Sequence, residues 1–410
     1  MIRIAAVVFS NYPADTRVRR ESEALVQAGM SVDVICVKKP EEPHFEEYNG
    51  VRIHRINISR KRAGKLQYIW EYGFFLVAAA LKLSRLFLKT RFDVVHVHNM
   101  PDILVFTALF PKLTGSAIIL DLHDPMPELF ATKYGKSPMH PAIRALKYLE
   151  KISIRFADLV LTPNVSFRNL FISRGCPASK IHIVMNSPVE EIYESKNVDP
   201  DLHKPVPSDF VLLYSGYIIE HNGLDVAIRA VSRLKERIPN VVLDVYGRGN
   251  FMDECMKLAG DLRLNGSIRF HGLVPQEKIA AAVSASHVGV IPNRSNPFTD
   301  LNFPTRIFEF LIQEKPVIVP KTRGIQDYFS DGTIHFFDPG NPDSLAEKLL
   351  EIHSDPERTR EVVKKGVAVY SGYRWASQKK HLVNLVTTLV AHPDRMEAAH
   401  QPELQKGMGV

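Results

Sequence analysis

The alternation of short apolar segments with helical patterns restricts this chain to few architectures. Such alternation predicts parallel strands buried on both faces beneath layers of helices. In the first part of the chain, helices are predicted near 17–28, 66–90, 103–112, 140–156 and 166–174, and strands at Ile2–Val8, Val32–Val37, Val51–Ile56, Val94–His98, Ala117–Leu122, Leu159–Thr162 and Ile181–Val184. The sequence therefore predicts an α/β fold.

This pattern is interrupted once and then resumes. Residues 189–208 hold prolines and scattered charges, which is typical of a linker. Further strands are predicted at Phe210–Tyr214, Val241–Tyr246, Ile268–His271, Val288–Ile291, Pro316–Val319 and Thr333–Phe336. We predict two doubly wound, Rossmann-like domains, 1–188 and 209–372, that face a cleft. A helix at 373–391 is expected to pack back on the first domain, and the tail 392–410 is expected to be disordered.

Composition places the chain among globular proteins of a reducing compartment. Of 410 residues, 45% are hydrophobic and 24% are charged, which suits two or three domains. Cys36, Cys176 and Cys255 are too far apart in sequence to indicate a disulfide or metal framework. A strand is predicted from Ile2, so no signal peptide is expected, and no apolar run is long enough to span a bilayer. We expect a cytoplasmic protein.

The two parts of the chain differ in charge. Residues 1–190 hold 26 Lys and Arg against 17 Asp and Glu, whereas residues 191–410 hold 26 against 28. A basic first domain is typical of proteins that meet an anionic partner such as a membrane surface, although it also occurs on ordinary soluble surfaces. The predicted helix 66–90 mixes apolar and basic residues, so it either packs on the sheet or lies in a membrane interface on the inner face. Nucleic acid is not an expected partner.

The segment 302–318 carries the most specific chemical pattern. It reads as a loop, a short helix that begins at Thr305, and a buried strand. The Thr305 hydroxyl is expected to cap the helix, and Arg306 adds a cation where a helix N-terminus already attracts anions. Glu309 lies one turn on and can accept hydrogen bonds from sugar hydroxyls. The pattern suggests a nucleotide-sugar site; the alternative is an exposed ion pair between Arg306 and Glu309.

Three other loops follow predicted strands of the second domain. Glycines in such loops let backbone approach a phosphate, and a helix that begins after Asn222 can complete the cradle. Each loop alone is a weak signal, because α/β domains need glycine turns in any case. The candidate donor-binding residues of these loops are Gly216, Tyr217, Asn222, Gly247, Arg248, Gly272 and Val274.

In the first domain, polar residues follow the first and fifth predicted strands. Asp15 can cap a helix, and Arg17 can reach the cleft. His123 stands beside Asp124 at a strand end, where a histidine can act as general acid, general base or sugar ligand. The alternative is a loop histidine that only satisfies backbone groups.

A metal site is not expected. His96 and His98 share one strand face, but no third ligand is evident from the sequence, so a structural role is predicted for them. The chain's Asp-x-Asp pattern, at Asp199 and Asp201, falls in the predicted linker and gives no support for a metal-bound diphosphate.

Together these motifs resemble the retaining glycosyltransferases of family 4, which have the two-domain GT-B architecture. The resemblance runs through nearly all of residues 1–390. It is carried by the segments Asp15–Glu21, Phe92–His98, Asp121–Asp124, Tyr214–Tyr217, Asn222–Leu224, Val245–Gly249, Phe270–Gly272 and Phe303–Phe310.

The resemblance implies transfer of a sugar from a nucleotide-diphosphate donor to a glycan or lipid-linked acceptor, with retention at the anomeric carbon and without a cofactor. It implies that Glu309 holds the ribose, that Arg306 stabilises the departing diphosphate, and that His123 lies near the reacting sugar. It also implies an acceptor site in the first domain, for which Asp15, Arg17, His98 and Asp124 are the candidates.

The chain departs from the family pattern at three positions. Leu301 stands where many members have a second glutamate, and Tyr217 and Asn222 stand nearest to a usual arginine and lysine. These departures keep two alternatives open. One is a nucleotide-sugar-binding partner subunit with impaired catalysis, and the other is a sugar-nucleotide epimerase.

Overall fold

The computed structural model describes residues 1–58, 65–194 and 209–391. Contacts between residues divide this chain into two compact units. Unit 1 comprises Met1–Met185 and the chain from Gln378, and unit 2 comprises Asn186–Ser377. Each unit is an α/β domain built on a largely or wholly parallel sheet, as the sequence predicts.

The described part of unit 1 contains an eight-stranded sheet in the order β3-β4-β2-β1-β5-β6-β7-β8. The pairings are parallel except for that of β3 with β4, which is antiparallel. Strand β3 was not predicted because its sequence, Phe-Glu-Glu-Tyr, is largely exposed and lacks an apolar run. The strands are β1 Arg3–Val7, β2 Ser31–Val37, β3 Phe45–Tyr48, β4 Val51–Ile56, β5 Val94–His98, β6 Ala117–Asp121, β7 Leu159–Thr162 and β8 Ile181–Ile183.

Helices follow the strands of unit 1 as the periodicity predicts, with one addition. The addition is α4, which begins directly after the loop that contains His123. Asp15 caps α1 by accepting a hydrogen bond from the Arg17 amide, as expected. The helices are α1 Thr16–Gln27, α2 Lys65–Lys89, α3 Leu109–Leu113, α4 Met126–Tyr134, α5 Pro141–Phe156 and α6 Val165–Ser173, with a 3₁₀ helix at Asp102–Ala108.

The described part of unit 2 contains a six-stranded parallel sheet in the order β11-β10-β9-β12-β13-β14. Its strands are β9 Phe210–Ser215, β10 Val241–Tyr246, β11 Ile268–Gly272, β12 Val288–Val290, β13 Val317–Pro320 and β14 His335–Phe337. Its helices are α7 Glu190–Tyr193, α8 Leu224–Leu234, α9 Met252–Asp261, α10 Gln276–Ala285, α11 Arg306–Ile312, α12 Arg323–Gln326, α13 Pro342–Ser354 and α14 Pro356–Ser371.

The last described helix, α15 at Trp375–Ala391, begins in unit 2 and continues in unit 1. Leu382, Leu385, Val386 and Leu389 are buried in the same hydrophobic cluster as the strands of unit 1. Their spacing places them on one helix face, which is the apolar face that the sequence shows. The unit boundary therefore falls inside this helix, five residues after the predicted boundary at 372 and 373.

The predicted linker at 189–208 needs correction at its beginning. Helix α7 lies within it and belongs to unit 2, where Glu190 accepts hydrogen bonds from the Trp375 amide at 2.8 Å and the Tyr370 hydroxyl at 3.2 Å. The rest of the linker, 195–208, and the tail, 392–410, lie outside the described residues. Within the described ranges, no helix has both the length and the apolar character that a membrane crossing requires.

Candidate functional site

Three glycine loops meet at the carboxyl ends of β9, β10 and β11 in unit 2. The Gly216 amide donates to the Tyr246 carbonyl at 2.9 Å, and the Gly247 amide donates to the Gly272 carbonyl at 2.8 Å. A Cβ atom added to Gly247 would lie only 1.8 Å from the Gly216 carbonyl oxygen. Glycine at 247 is therefore required for the loops to come this close, and the structure brings together the three loops that the sequence singled out.

The Arg306 side chain lies directly over the first of these loops. Its guanidinium donates to the Ser215 carbonyl, and its Cζ is 5.5 Å from the centre of the Tyr214 ring. A Cβ added to Gly216 would be 2.1 Å from Arg306 Nη1. A fixed cation thus packs against a glycine loop at the strand ends, and a cation beside such a loop is suited to binding phosphate groups.

Glu309 and Arg306 do not form the exposed ion pair that was the alternative interpretation. Glu309 is half-buried, and its carboxylate is hydrogen-bonded to the Tyr193 hydroxyl. Burial raises the pKa of the Glu309 carboxyl, while the bond from Tyr193 and the charge of Arg306 act to lower it. Tyr193 itself is held by Gln276, whose Nε2 donates to its hydroxyl at 3.3 Å.

Tyr193 was missed in the sequence analysis, because it lies in the segment interpreted as a linker. It is almost fully buried, with 1% of its surface exposed. Burial and the nearby Glu309 charge raise the pKa of its hydroxyl well above the usual value, so it remains protonated and donates. A signal existed in the sequence: Val189, Ile192 and Tyr193 are apolar or aromatic at helical spacing within a segment that is otherwise rich in charge.

The predicted cap at Thr305 is wrong. Thr305 already has helical dihedral angles, φ −52° and ψ −29°, and its hydroxyl makes no capping hydrogen bond. A capping side chain requires an extended residue before the helix, and the chain here turns one residue earlier, after Pro304. Helix α11 is also short, so the charge of Arg306 contributes more to an anion site than the dipole of the helix does.

The other predicted donor residues form the rim of these loops. Tyr217 is 56% exposed, and its carbonyl accepts hydrogen bonds from Asn222 Nδ2 at 2.7 Å and the Tyr214 hydroxyl at 2.9 Å. Asn222 thus holds the loop in shape. Arg248 is exposed, and Val274 is partly exposed beyond the end of β11.

In unit 1, Asp15, Arg17 and Asp124 line a cavity of about 210 Å³ at the strand ends. Arg17 Nε is 3.3 Å from Asp15 Oδ1, and its Nη1 is 3.9 Å from Asp124 Oδ2. Burial alone would raise the pKa of Asp15, but Arg17 lowers it to about 2, so this carboxylate is ionised. Ser10 and Glu71 also line the cavity, which offers hydroxyl-binding groups to a polar molecule.

His98 and His123 do not line this cavity. They are buried beside it, with parallel rings and with His98 Nδ1 3.1 Å from His123 Nε2. Burial lowers the pKa of His123 to about 3 against the opposing charge of Asp121, so its imidazole is neutral. The structure therefore separates His98 from the other three acceptor candidates.

The reason given in the sequence analysis for excluding a metal from His96 and His98 is wrong. Asp121, from the neighbouring strand β6, and Glu21, from α1, converge on the same point. Both are buried, and neither could be placed there from sequence spacing, because the contacts join distant segments.

Comparison with known proteins identifies the two units. Residues 14–187 match the family described as Glycosyl transferase 4-like domain, and residues 197–368 match Glycosyl transferases group 1. The chain is 24% identical over 197 residues to amylovoran biosynthesis glycosyltransferase AmsK from Erwinia amylovora, covering 48% of this chain and 47% of that protein. It therefore aligns with about half the length of that relative.

Other similarities extend over almost the whole chain. Phosphatidyl-myo-inositol mannosyltransferase from Mycolicibacterium smegmatis is 22% identical, with 90% of this chain and 88% of that protein covered. Sucrose-phosphate synthase from Thermosynechococcus elongatus superposes with a TM-score of 0.79 at 18% identity, over 95% of this chain and all of the other. Anabaena HepE in complex with UDP superposes with a TM-score of 0.71 at 14% identity, over 95% and 100%.

The two matched domains follow one another in the order that the sequence motifs predict, and the superposed structures share both Rossmann-like units. The chain therefore belongs to the GT-B glycosyltransferases, and its domains are consistent with membership of family 4.

Proposed function

We propose that the chain transfers a sugar from a nucleotide-diphosphate donor to a glycan or lipid-linked acceptor, with retention at the anomeric carbon. The observation that carries this proposal is the convergence of Arg306 and the Gly216 and Gly247 loops at one edge of unit 2. Family membership supports the reaction class, since the matched relatives include transferases of glycan and lipid substrates by name.

The diphosphate binds over the Gly216 loop. Negative charge grows on the leaving diphosphate as the glycosidic bond breaks, and Arg306 stabilises that charge from a position fixed by Ser215 and Tyr214. A fixed side chain has little reorganisation left to undergo in the transition state, which makes its electrostatic contribution larger. With this cation in place, we propose that the donor binds without a divalent metal.

Glu309 accepts hydrogen bonds from the ribose hydroxyls. Tyr193 holds one part of the carboxylate, so the other oxygen is oriented for a ligand. Because the site is partly dry, the bond to a sugar hydroxyl is stronger than it would be in water. Asn222 and Tyr217 form part of the donor-binding loops at positions where members of the family usually have a lysine and an arginine.

Unit 1 binds the acceptor at the cavity formed by Asp15, Arg17 and Asp124. Ionised Asp15 and the Arg17 guanidinium can both hydrogen-bond to sugar hydroxyls, and Arg17 can also pair with an acceptor phosphate. The neutral His123 is buried beside this cavity rather than lining it, and its imidazole offers a hydrogen-bonding nitrogen close to where the acceptor binds. We propose it as a catalytic residue.

Calorimetric titration tests the donor site. UDP-, GDP- and ADP-sugars are titrated into the wild type and into Glu309→Gln and Arg306→Gln, with and without Mg²⁺. One nucleotide should bind selectively and equally well under both conditions, and each variant should lose roughly tenfold to a hundredfold in affinity, the value of one charge-assisted hydrogen bond. The matched controls are Glu351→Gln and Arg233→Gln, which change surface ion pairs of the same unit.

Binding of no nucleotide sugar would refute the donor-site assignment. Selective binding without turnover on any acceptor would instead support the impaired partner subunit, which the residues at Tyr217, Asn222 and Leu301 suggest. Conversion of the donor in the absence of an acceptor would indicate an epimerase. Proton NMR of the product gives the anomeric configuration, and inversion would refute the retaining mechanism.

We also propose that α2 contacts a membrane surface peripherally. Trp70, Phe74, Val77, Leu81 and Leu88 are 65%, 43%, 57%, 55% and 75% exposed. At 100° per residue these five positions fall within an arc of about 60°, so they form one apolar stripe. A contiguous exposed stripe of this kind is uncommon on soluble surfaces.

Neighbouring residues extend this surface and give it charge. Leu109 and Leu113 of α3, which packs beside α2, are 53% and 78% exposed. Arg85 and Lys89 are exposed next to the stripe. Apolar residues flanked by cations are suited to the interface of an anionic bilayer, where a lipid-linked acceptor would be presented.

Fluorescence reports this contact directly, because Trp70 is exposed while the chain's second tryptophan, Trp375, is buried. Vesicles with anionic lipid should shift Trp70 emission to the blue and float with the protein. Phe74→Glu with Leu81→Glu should abolish both effects, whereas Met256→Glu, a change at an exposed apolar residue of unit 2, should not. If the α2 variant and Met256→Glu bind vesicles equally well, the proposal that α2 contacts the membrane is refuted.

A further inference from the structure

A buried group of metal-ligating side chains lies at the centre of unit 1. Glu21 comes from α1, His96 and His98 from β5, and Asp121 from β6. His98 and Asp121 are direct partners in the parallel pairing of their strands. All four residues are at most 3% exposed. Rigid elements therefore hold two imidazoles and two carboxylates in one dry place.

The separations of their ligand atoms match those of a coordination shell. Asp121 Oδ2 is 3.4 Å from both His96 Nε2 and His98 Nδ1, and Glu21 Oε2 is 3.9 Å and 4.0 Å from the same nitrogens. All four atoms lie within 4.8 Å of one another. A tetrahedral zinc site with bonds of about 2.0–2.1 Å has ligand atoms about 3.3–3.4 Å apart. In a zinc complex, side-chain rotation would bring Glu21 Oε2 from 3.9–4.0 Å to about 3.4 Å from the two nitrogens.

Two of these atoms have no hydrogen-bond partner outside the group. Glu21 Oε2 and His96 Nε2 are fully buried, and their polar contacts are with other members of the group, Asp121 above all. A buried polar atom without a partner is unfavourable, and two nearby carboxylates repel one another unless a cation or a proton lies between them. Arg17 and Arg20 act on Glu21 electrostatically, but a divalent cation inside the group would satisfy all four atoms at once.

We propose that Glu21, His96, His98 and Asp121 bind one divalent transition-metal ion, with zinc as the best match to two imidazoles and two carboxylates. Imidazole nitrogen favours zinc and similar ions over magnesium and calcium, which prefer oxygen alone. Four protein ligands leave no open position, so this is a structural site that joins α1 to β5 and β6. It is distinct from the donor site, which lies in unit 2.

The site has a consequence for His123. Its Nε2 is 3.1 Å from His98 Nδ1, and a nitrogen that coordinates a metal cannot share the same lone pair or carry a proton for a hydrogen bond. Metal binding therefore frees His123 Nε2 from His98. The cluster acts in this way as a positioning group for a residue that we propose to be catalytic.

Metal analysis of the whole protein tests the proposal. The purified chain is stripped with a chelator, dialysed, loaded with Zn²⁺, and measured by plasma mass spectrometry. One zinc per chain is expected, with a rise in the melting temperature of unit 1. Replacement by Co²⁺ should give the intense visible absorption of a tetrahedral site.

Two variants each remove one ligand group while keeping a polar side chain of similar size. Glu21→Gln and His96→Gln should each weaken zinc binding at least tenfold and abolish the cobalt spectrum, with circular dichroism unchanged. The matched control is His182→Gln, a buried histidine of the same unit whose Nε2 is 3.2 Å from the Ser179 carbonyl. It should bind zinc like the wild type.

Two results would overturn the proposal. If the folded wild type takes up no zinc in excess metal, the group is held together by shared protons. If Glu21→Gln and His96→Gln retain one zinc with wild-type affinity, the metal is bound elsewhere. Neither result depends on donor binding, so the failure of this proposal is separate from a failure of the proposed function.

Discussion

Gly247→Ala tests whether the glycine loops of unit 2 are as tightly apposed as they appear. Gly247 has φ +143°, a region that residues with a Cβ avoid, and the new Cβ would lie 1.8 Å from the Gly216 carbonyl oxygen. Real Cβ contacts are not shorter than 3.0 Å, so the two backbones must separate by about 1.2 Å.

The cost of that separation follows from what holds the loops together. Backbone strain at positive φ costs about 1–2 kcal/mol. The bonds from Gly216 to Tyr246 and from Gly247 to Gly272, 2.9 Å and 2.8 Å long, cannot both survive the shift, and each contributes about 1 kcal/mol. We expect unit 2 to lose roughly 3 kcal/mol and the nucleotide sugar to bind at least tenfold more weakly.

Hydrogen exchange of the β9 and β10 amides measures the stability of unit 2 separately from that of unit 1, and calorimetry measures the affinity for the donor. The matched control is Gly266→Ala, because Gly266 also has a positive φ, +87°, but an added Cβ meets nothing within 4 Å. Gly266→Ala should therefore lose only the stability that backbone strain at positive φ costs. If Gly247→Ala and Gly266→Ala lose the same stability, and Gly247→Ala keeps its donor affinity, then Gly247 is not needed for the close apposition of the loops.

Three further predictions concern other parts of the chain. Burial lowers the pKa of His182 to about 4, so its neutral form stabilises the fold above the unfolded pKa of about 6.5 and this stability is lost as the pH falls towards 4. The wild type should therefore lose about 2 kcal/mol more between pH 7 and pH 5 than His182→Gln does in urea unfolding. Leu382→Ala, in the fully buried part of α15, should cost unit 1 about 3 kcal/mol by hydrogen exchange. Tyr193→Phe removes the hydroxyl bound to Glu309 and should weaken donor binding about threefold to tenfold by calorimetry.

Each of these predictions has its own control or contrary result. A wild type and a His182→Gln variant with parallel pH profiles would show that burial does not lower the pKa of this imidazole in the folded state. Thr387→Ala changes an exposed residue of α15 and should leave the stability of unit 1 within about 0.5 kcal/mol. If Tyr193→Phe binds the donor as tightly as the wild type does, Tyr193 does not contribute to the donor site.

The sequence predicted the repeating architecture because its signals are local. All thirteen predicted strands appear in the structure, since a run such as Phe210–Tyr214 is apolar or aromatic at every position and needs no knowledge of its neighbours. Strand β3 escaped because an edge strand paired on one side carries polar residues. Thr305 was misplaced as a cap because helix boundaries depend on dihedral angles that composition does not fix.

Residue types and spacing also determined which loops of unit 2 deserve a functional interpretation, because glycines, Arg306 and Glu309 are needed there whatever the rest of the chain does. Only the tertiary structure decided which partners they have. Arg306 lies over Gly216, and Glu309 pairs with Tyr193 from a segment interpreted as a linker. The grouping of Glu21 with His96, His98 and Asp121 arises in the same way. Local patterns are encoded over a few residues, whereas these contacts join segments that are distant in sequence and meet only when the sheets assemble.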